Sequence, residues 1–169
     1  ERMGAENQMV RPLANRAKTD TKRVVFAEAD HLDVLKAAQI GFEDKIGLPI
    51  LLGNRETILE LKEEIGFDAD IQISDPKTKD EDKRRNHYAD IFWKSRQRRG
   101  ISLLDAQKWM RERNYFAAMM VNEGDADAMV SGYSRSYPTV VKPIMQLIGK
   151  APGITLIATT NMMMTNRGP

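Results

Sequence analysis

The stretch "KRVVFAEADHLDVLKAAQIGFEDK" (22–45) decides the fold, because its hydrophobic period changes from that of a strand to that of a helix. Its first eight residues (22–29) are rich in β-branched and aromatic side chains, which is typical of a short buried strand. Asp30 follows and is suited to cap the N-terminus of a helix. Apolar side chains then recur at helical spacing, and the face that they share consists of Leu32, Leu35, Ala38 and Phe42. The segment therefore predicts a strand that leads directly into a helix.

The same pattern repeats further along the chain. "LPILLG" (48–53) predicts a second strand, and Asn54 is suited to cap a helix that ends at Gly66. "IQISDP" (71–76) predicts a third strand. Strands that alternate with helices through short links form βαβ units, in which the strands are parallel and helices cover both faces. We therefore predict an α/β fold of three layers, with a mostly parallel sheet between two layers of helices.

The second half of the chain adds further helices and strands. A charged stretch (77–86) precedes two predicted helices, one over 87–100 and one from Ser102 onward. The segment 115–124 is rich in alanine and methionine, which favours a third helix. The remaining predicted elements are a strand over 127–132, a helix over 139–150 with Pro143 near its first turn, and a fifth strand over 154–164.

Composition excludes several classes of protein. The 169 residues contain no cysteine and only two histidines, His31 and His87, so we expect neither disulfides nor a thiolate or histidine metal site. The net charge of +2 is too small for a protein that binds nucleic acid mainly through bulk charge. No apolar run approaches the roughly 18 residues of a membrane-spanning helix. We expect a soluble, cytoplasmic protein that binds neither nucleic acid nor membranes.

The chain divides into a lead-in segment and one main domain. Residues 1–21 are polar with some helical pattern, and they predict a linker or lead-in helix. Residues 22–169 carry the strand and helix pattern. The chain begins at Glu1 without an initiator methionine, and it ends soon after the apolar run of the fifth predicted strand. We therefore expect it to be a piece of a longer protein.

The segment "SGYSRSYPTVVKP" (131–143) is the strongest candidate for a binding site, because it follows a predicted strand and combines hydroxyl groups with cations. In open α/β sheets ligands bind where strands end and helices begin. Glycine permits a close approach of the backbone, hydroxyls donate to phosphate oxygens, and cations neutralise charge. The candidate anion ligands are Ser131, Gly132, Ser134, Arg135, Ser136, Thr139 and Lys142. The alternative is an ordinary strand-to-helix loop whose side chains are solvated.

Other motifs have simpler structural explanations. Neither a P-loop nor a GxGxxG dinucleotide fingerprint occurs, which disfavours a nucleoside triphosphatase and a complete NAD-binding unit. The basic run "KSRQRRG" (94–100) complements the dipole at a helix C-terminus. Glu28, Asp30 and His31 have the chemistry of an acid–base group, but we favour capping and surface roles for them. The methionines at 162–164 favour a core or an interface over a ligand site.

Seven motifs of the sequence occur in the order in which one protein family carries them. They are "KRVVFAEADHLDVLKAAQ", "PILLGN", "ISDP", "SRQRRG", "YFAAMMVNEGDADAMVSG", "KPIMQLIGKAPGITL" and "NMMMTNRGP". Over about residues 20–169 the chain resembles the first half of the phosphate acetyltransferase/phosphate butyryltransferase family. The segments "SGYSRSYPTVVKP" and "MMMTNRGP" look like the version of this domain fused behind the catalytic domains of large bacterial NADP-dependent malic enzymes.

The resemblance implies a fold with two α/β lobes, a cleft between them, and acetyl transfer between coenzyme A and phosphate. The family's active-site residues come largely from the second half, which this chain lacks. Of the first-half positions, one functional arginine falls on Arg96, whereas a second falls on Lys142 and a histidine position falls on Arg135. Arginine grips a phosphate through two parallel hydrogen bonds and lysine offers a point charge, so the transferase pattern is altered here.

The resemblance therefore implies a regulatory domain of a malic enzyme, which binds acetyl-CoA or a related acyl or phosphate anion and supports a homo-oligomer. The catalytic malic enzyme domain would lie in the same chain and would use NADP and Mg²⁺ or Mn²⁺. This segment itself would hold no cofactor and no catalytic residue. Two alternatives stay open: an active phosphate acetyltransferase, and a purely structural oligomerisation module.

Overall fold

A computed structural model describes residues 10–158 of the chain. Four strands and seven α-helices alternate through most of this length. In chain order they are α1 (Val10–Thr19), β1 (Lys22–Phe26), α2 (Leu32–Glu43), β2 (Gly47–Leu52), α3 (Arg55–Glu64), β3 (Ile73–Ser74), α4 (Asp82–Arg96), α5 (Leu103–Trp109), α6 (Arg113–Asn122), β4 (Ala128–Val130) and α7 (Tyr137–Leu147).

The strands form one parallel sheet in the order β3-β2-β1-β4. Val25 lies at its centre, paired with Ile50 of β2 on one side and with Met129 of β4 on the other. The chain moves outward from β1 to β3, crosses through α4, α5 and α6, and returns to the other side of β1 as β4. The direction of winding therefore reverses between β1 and β4, which is the position where open sheets of this type open a crevice at their carboxyl ends.

Helices cover both faces of the sheet, so the predicted three-layer α/β/α fold is confirmed. Alternate residues of a strand point to opposite faces. Val25 accordingly packs with Phe92 of α4 and Phe116 of α6, whereas Phe26 packs on the other side with Leu35 of α2. The α4–α6 side holds the larger core, and its aromatic members lie in tilted or stacked contacts: Tyr88, Phe92, Trp109, Tyr115 and Phe116.

Two predicted helix starts are confirmed by their hydrogen bonds. The side chain of Asn54 accepts from the backbone N–H of Thr57 at 2.9 Å, and caps α3. Ser102 and Asp105 form a reciprocal capping box at the start of α5, in which each side chain accepts from the other residue's backbone N–H. Both caps depend on residues within one turn of each other, which is why sequence alone identifies them.

The predicted cap of α2 was wrong. His31, rather than Asp30, occupies the N-cap position, and no side chain caps this helix. Asp30 instead makes an ion pair with Arg113, which is 83 residues away in the sequence. A charged partner at close range outweighs a local cap, and a partner so distant is invisible in a local pattern.

Several predicted boundaries also differ. The first strand ends at Phe26 and residues 27–30 turn, while the third strand is only two residues long. The charged stretch 77–86 is partly helical, because α4 begins at Asp82. The fifth strand was wrong over residues 154–158, which form no strand; residues 159–164 lie outside the described residues, as do the methionines at 162–164.

Candidate functional site

The backbone N–H groups at the start of the loop after β4 donate to a carboxylate of the chain itself, that of Glu28. Glu28 lies two residues after the end of β1, and its side chain is almost fully buried. One carboxylate oxygen accepts from the backbone N–H groups of Gly132 and Tyr133, at 2.9 and 2.7 Å. The other accepts from the N–H and the hydroxyl of Ser134, at 3.2 and 2.6 Å. Glu28 thus bridges the crevice between β1 and β4 and fixes the loop.

Hydrogen bonding keeps this buried carboxylate ionised. Burial is the strongest single influence and opposes ionisation of Glu28, but the Ser134 hydroxyl and three backbone N–H groups act against it. Their sum lowers the pKa of Glu28 below its ordinary value. The expectation that Glu28 and Asp30 take capping or surface roles was therefore wrong, because both are held in tertiary contacts.

Three further hydroxyls of this segment, those of Ser131, Ser136 and Thr139, also form hydrogen bonds within the protein. Ser131 donates from its hydroxyl to the side-chain carbonyl oxygen of buried Asn114, at 2.6 Å. Ser136 lies at the N-cap of α7 and shares a hydrogen bond of 2.9 Å with the hydroxyl of Thr139. These groups hold the loop against α6 and start α7.

Arg96, at the end of α4, and Lys142, on α7, are two of the cations that the family resemblance singles out, and both touch the protein. The guanidinium of Arg96 donates to the backbone carbonyl of Gln146, which joins the end of α4 to α7. The ammonium of Lys142 lies 5.7 Å from the ring centroid of Trp109. Tyr115 donates to the side chain of Gln146 at 2.7 Å and completes this contact between α4, α5, α6 and α7.

A separate cleft of about 350 Å³ opens at the carboxyl ends of the strands. Residues that follow each of the four strands line it: Asp30 after β1, Gly53 and Asn54 after β2, Asp75 to Lys77 after β3, and Arg135 after β4. The junction of α5 and α6 closes it with Lys108, Arg111, Glu112 and Arg113. This is the position at which α/β sheets bind ligands.

An ion pair fixes the inner part of the cleft. Arg113 grips Asp30 through two parallel hydrogen bonds, of 2.6 and 2.8 Å, and both side chains are largely buried. Burial opposes the ionisation of Asp30, but the hydrogen bond and charge of Arg113 outweigh it and the pKa of Asp30 falls below its ordinary value. The negative charge of the Asp30 carboxylate is therefore compensated within the protein by the Arg113 guanidinium.

The structure brings only some of the predicted residues together. Ser131, Gly132 and Ser134 meet at Glu28 or Asn114, whereas Lys142 is part of α7 and Arg96 contacts α7 from the end of α4. Of the predicted ligands, Arg135 alone lines the cleft. The basic run "KWMRER" (108–113), which supplies three of the cleft's cations, was missed; its charge density was the available signal. Ligand binding by the predicted residues stays a prediction.

Two features are absent from residues 10–158. None of the helices there has the length and apolar character needed to cross a bilayer. Within the same residues, no three or more histidine and acidic side chains are grouped as a metal ion would require.

Comparison with known proteins gives a consistent set of relatives. Residues 8–169 match the family model described as "Phosphate acetyl/butaryl transferase". An NADP-dependent malic enzyme of Rhizobium meliloti is 34% identical over 152 residues, which are 88% of this chain and 20% of that protein. A phosphate acetyltransferase of Nitratidesulfovibrio vulgaris is 30% identical over 152 residues, 89% of this chain and 21% of that protein. The chain thus spans about a fifth of the length of these relatives.

The architecture matches as well. The EutD phosphotransacetylase from Staphylococcus aureus superimposes with a TM-score of 0.75 at 26% identity, over 86% of this chain and 44% of that one. A phosphotransacetylase from Streptococcus pyogenes gives a TM-score of 0.71 at 33% identity, over 87% and 45%. The family model matches residues 8–169 and the fold superimposes on solved phosphotransacetylases, so the chain belongs to the phosphate acetyl/butyryl transferase family.

Proposed function

We propose that this chain is part of the C-terminal, transferase-like domain of an NADP-dependent malic enzyme, and that the domain regulates the enzyme by binding acetyl-CoA or a related anion. Malic enzymes of Rhizobium meliloti and Rickettsia prowazekii support the assignment, at 34% and 37% identity. The chain covers only 20% and 17% of those proteins, so malate oxidation would belong to the rest of the polypeptide. NADP and Mg²⁺ or Mn²⁺ would bind there as well.

The observation that carries the regulatory role is the occupation of the loop by Glu28. Acyl transfer needs hydrogen-bond donors aimed at negative charge that develops in the transition state. Three backbone donors of the loop already point at the Glu28 carboxylate. The loop therefore has cationic side chains to offer a ligand, namely Arg135 and, from α7, Lys142, but these backbone donors are not free. Such a site binds an anion without stabilising a reaction.

Regulation requires that the ligand distinguish two states of the enzyme. An effector shifts an equilibrium only by the difference between its affinities for the two states. The loop that carries Arg135 is tied through Glu28 to β1, and α7 is tied through Gln146 to α4 and α6. A ligand that moves either segment would therefore also strain the sheet and the helices behind it. We propose that this coupling reaches the catalytic domain through a homo-oligomer.

The test is acetyl-CoA inhibition of malate oxidation by the full-length cytoplasmic enzyme. Wild type is compared with Arg135→Ala and Lys142→Ala, and Lys36→Ala, an exposed lysine on α2, serves as the control. We expect the concentration for half-inhibition to rise about tenfold in the first two variants, the loss of one charge-assisted contact of about 1.4 kcal/mol. Uninhibited wild-type enzyme would refute the proposal.

The same samples decide between the proposal and its two alternatives. Formation of acetyl phosphate from acetyl-CoA and phosphate would mean that the domain is an active transferase, as in the Nitratidesulfovibrio vulgaris relative. Loss of assembly on deletion of the domain, with no effect of acetyl-CoA, would mean that it is a structural module.

A further inference from the structure

In the strand-end cleft, the acidic side chains have hydrogen-bond partners within the described residues, whereas most of the basic side chains do not. Five cationic and three acidic side chains line it, which leaves a net charge of +2. All three carboxylates have donors within the protein. Asp30 is held by Arg113, Asp75 accepts from the backbone N–H groups of Lys77 and Arg55, and Glu112 accepts from those of Asn114 and Tyr115.

The cations, in contrast, are mostly without partners. Within residues 10–158, Lys77, Arg111 and Arg135 form no side-chain hydrogen bond and no ion pair. Lys108 has only the electrostatic influence of Asp105, one turn earlier on the same helix. Four cations that repel one another across a concave surface raise the free energy of the empty cleft, and an anion placed between them relieves that repulsion.

The arrangement of these four cations indicates the shape of the anion. Lys77 follows β3, Lys108 lies on α5, Arg111 lies between α5 and α6, and Arg135 lies in the loop after β4. They approach the cleft from different elements, and their four positive charges exceed the charge of about −2 that one phosphate group carries, so an anion with more charge and more oxygens suits them better. The volume of about 350 Å³ lies at the lower end of the range for small-molecule sites.

We propose that this cleft is a binding site for a diphosphate group, and that the Asp30–Arg113 ion pair fixes its inner part. Arg111 and Arg135 supply planar donors for phosphate oxygens, and Lys77 and Lys108 supply point charges. The site lies apart from the N–H groups that Glu28 occupies. The inference goes beyond the proposed function and does not require acetyl-CoA to be the effector.

Calorimetric titration of the full-length protein with inorganic pyrophosphate, and separately with orthophosphate, tests the site. We expect pyrophosphate to bind at least tenfold more tightly than orthophosphate, and its affinity to fall with added salt. Arg111→Ala and Lys77→Ala should each weaken pyrophosphate binding about tenfold. The matched controls are Arg98→Ala and Lys36→Ala, which remove exposed cations outside the cleft and should leave the affinity unchanged.

Three results would overturn the inference: no pyrophosphate binding by the wild type at millimolar concentration, equal affinity for the two anions, or equal weakening by cleft and control substitutions. Circular dichroism of each variant separates lost binding from lost folding. Pyrophosphate binding without acetyl-CoA inhibition of malate oxidation would leave this site standing and remove the proposed function. Acetyl-CoA inhibition without pyrophosphate binding would support the proposed function and refute the diphosphate site.

Discussion

Replacement of Glu28 by glutamine removes the charge from a buried carboxylate but keeps its shape. Glutamine has one acceptor oxygen, which can serve the N–H groups of Gly132 and Tyr133. Its NH₂ group then faces Ser134, whose N–H loses its acceptor while its hydroxyl can turn to accept from the NH₂ group. The two bonds from Gly132 and Tyr133 remain but lose their charge assistance. A hydrogen bond to a charged group contributes about 1.5–3 kcal/mol, and a neutral one about 1. Because the loop is exposed and water can reach the orphaned N–H, we expect Glu28→Gln to lower the free energy of unfolding by about 2.5 kcal/mol at neutral pH, which is the lower end of the sum of these losses.

This loss should depend on pH, with a sign fixed by the lowered pKa of Glu28. A carboxylate whose pKa is lower in the folded state contributes stability above its unfolded value of 4.5 and loses that contribution as the pH falls through the folded pKa. The difference between wild type and Glu28→Gln should therefore be full near neutral pH and shrink once the pH falls below 4.5. Urea unfolding followed by circular dichroism at several pH values measures it.

The matched control is Glu60→Gln, an exposed carboxylate on α3, which should change stability by less than about 0.5 kcal/mol. A Glu28→Gln variant as stable as this control at neutral pH would refute the argument that Glu28 holds the loop. A destabilisation of the same size at every pH would refute its electrostatic part.

Two further predictions concern Asp30 and Ser102. Asp30→Asn should lower the free energy of unfolding by about 2–3 kcal/mol, because it leaves the largely buried guanidinium of Arg113 without its counter-ion. Urea unfolding of this variant, of Arg113→Ala and of the double variant measures the coupling between the two side chains. Additive losses in the double variant would contradict the ion pair as the cause. Ser102→Ala removes half of the capping box of α5 and should cost about 1 kcal/mol, whereas Ser102→Thr keeps the hydroxyl that contacts Asp105 and should retain most of the stability in the same assay. Equal losses in the two Ser102 variants would mean that the cap is not the cause.

The parts of the fold that could be predicted are those set by neighbouring residues. The change of hydrophobic period after residue 29 predicts β1 and α2, and the repeat of that change predicts a parallel sheet. Asn54 and Ser102 begin helices through contacts within one turn. Boundaries were less accurate where tertiary contacts matter, as at Asp30, and the pattern over 154–158 predicted a strand that does not form.

The candidate site was only partly predictable, because its contacts join distant parts of the chain. The loop after β4 could be chosen from its glycine, hydroxyls and cations. Nothing in the local sequence indicates that Glu28, more than 100 residues earlier, would accept hydrogen bonds from the backbone N–H groups of this loop. The cleft likewise combines side chains that follow four separate strands with the basic run before α6. Only the three-dimensional fold brings Arg111 and Arg135 to the same cleft.

The position of β4 in the sheet has a consequence for how the molecule behaves in concentrated solution. Its inner edge pairs with β1, and within residues 10–158 no strand pairs with its outer edge. Met129 packs into the larger core, but Val130 points the other way and is half exposed. Unpaired backbone groups beside an apolar side chain are a template for strand addition, and β4 carries neither lysine nor proline to discourage it. A segment that adds to this edge buries Val130 only if it presents an apolar residue to it. A segment that presents a polar residue there would leave Val130 half exposed, and β4 would remain a nucleus for aggregation.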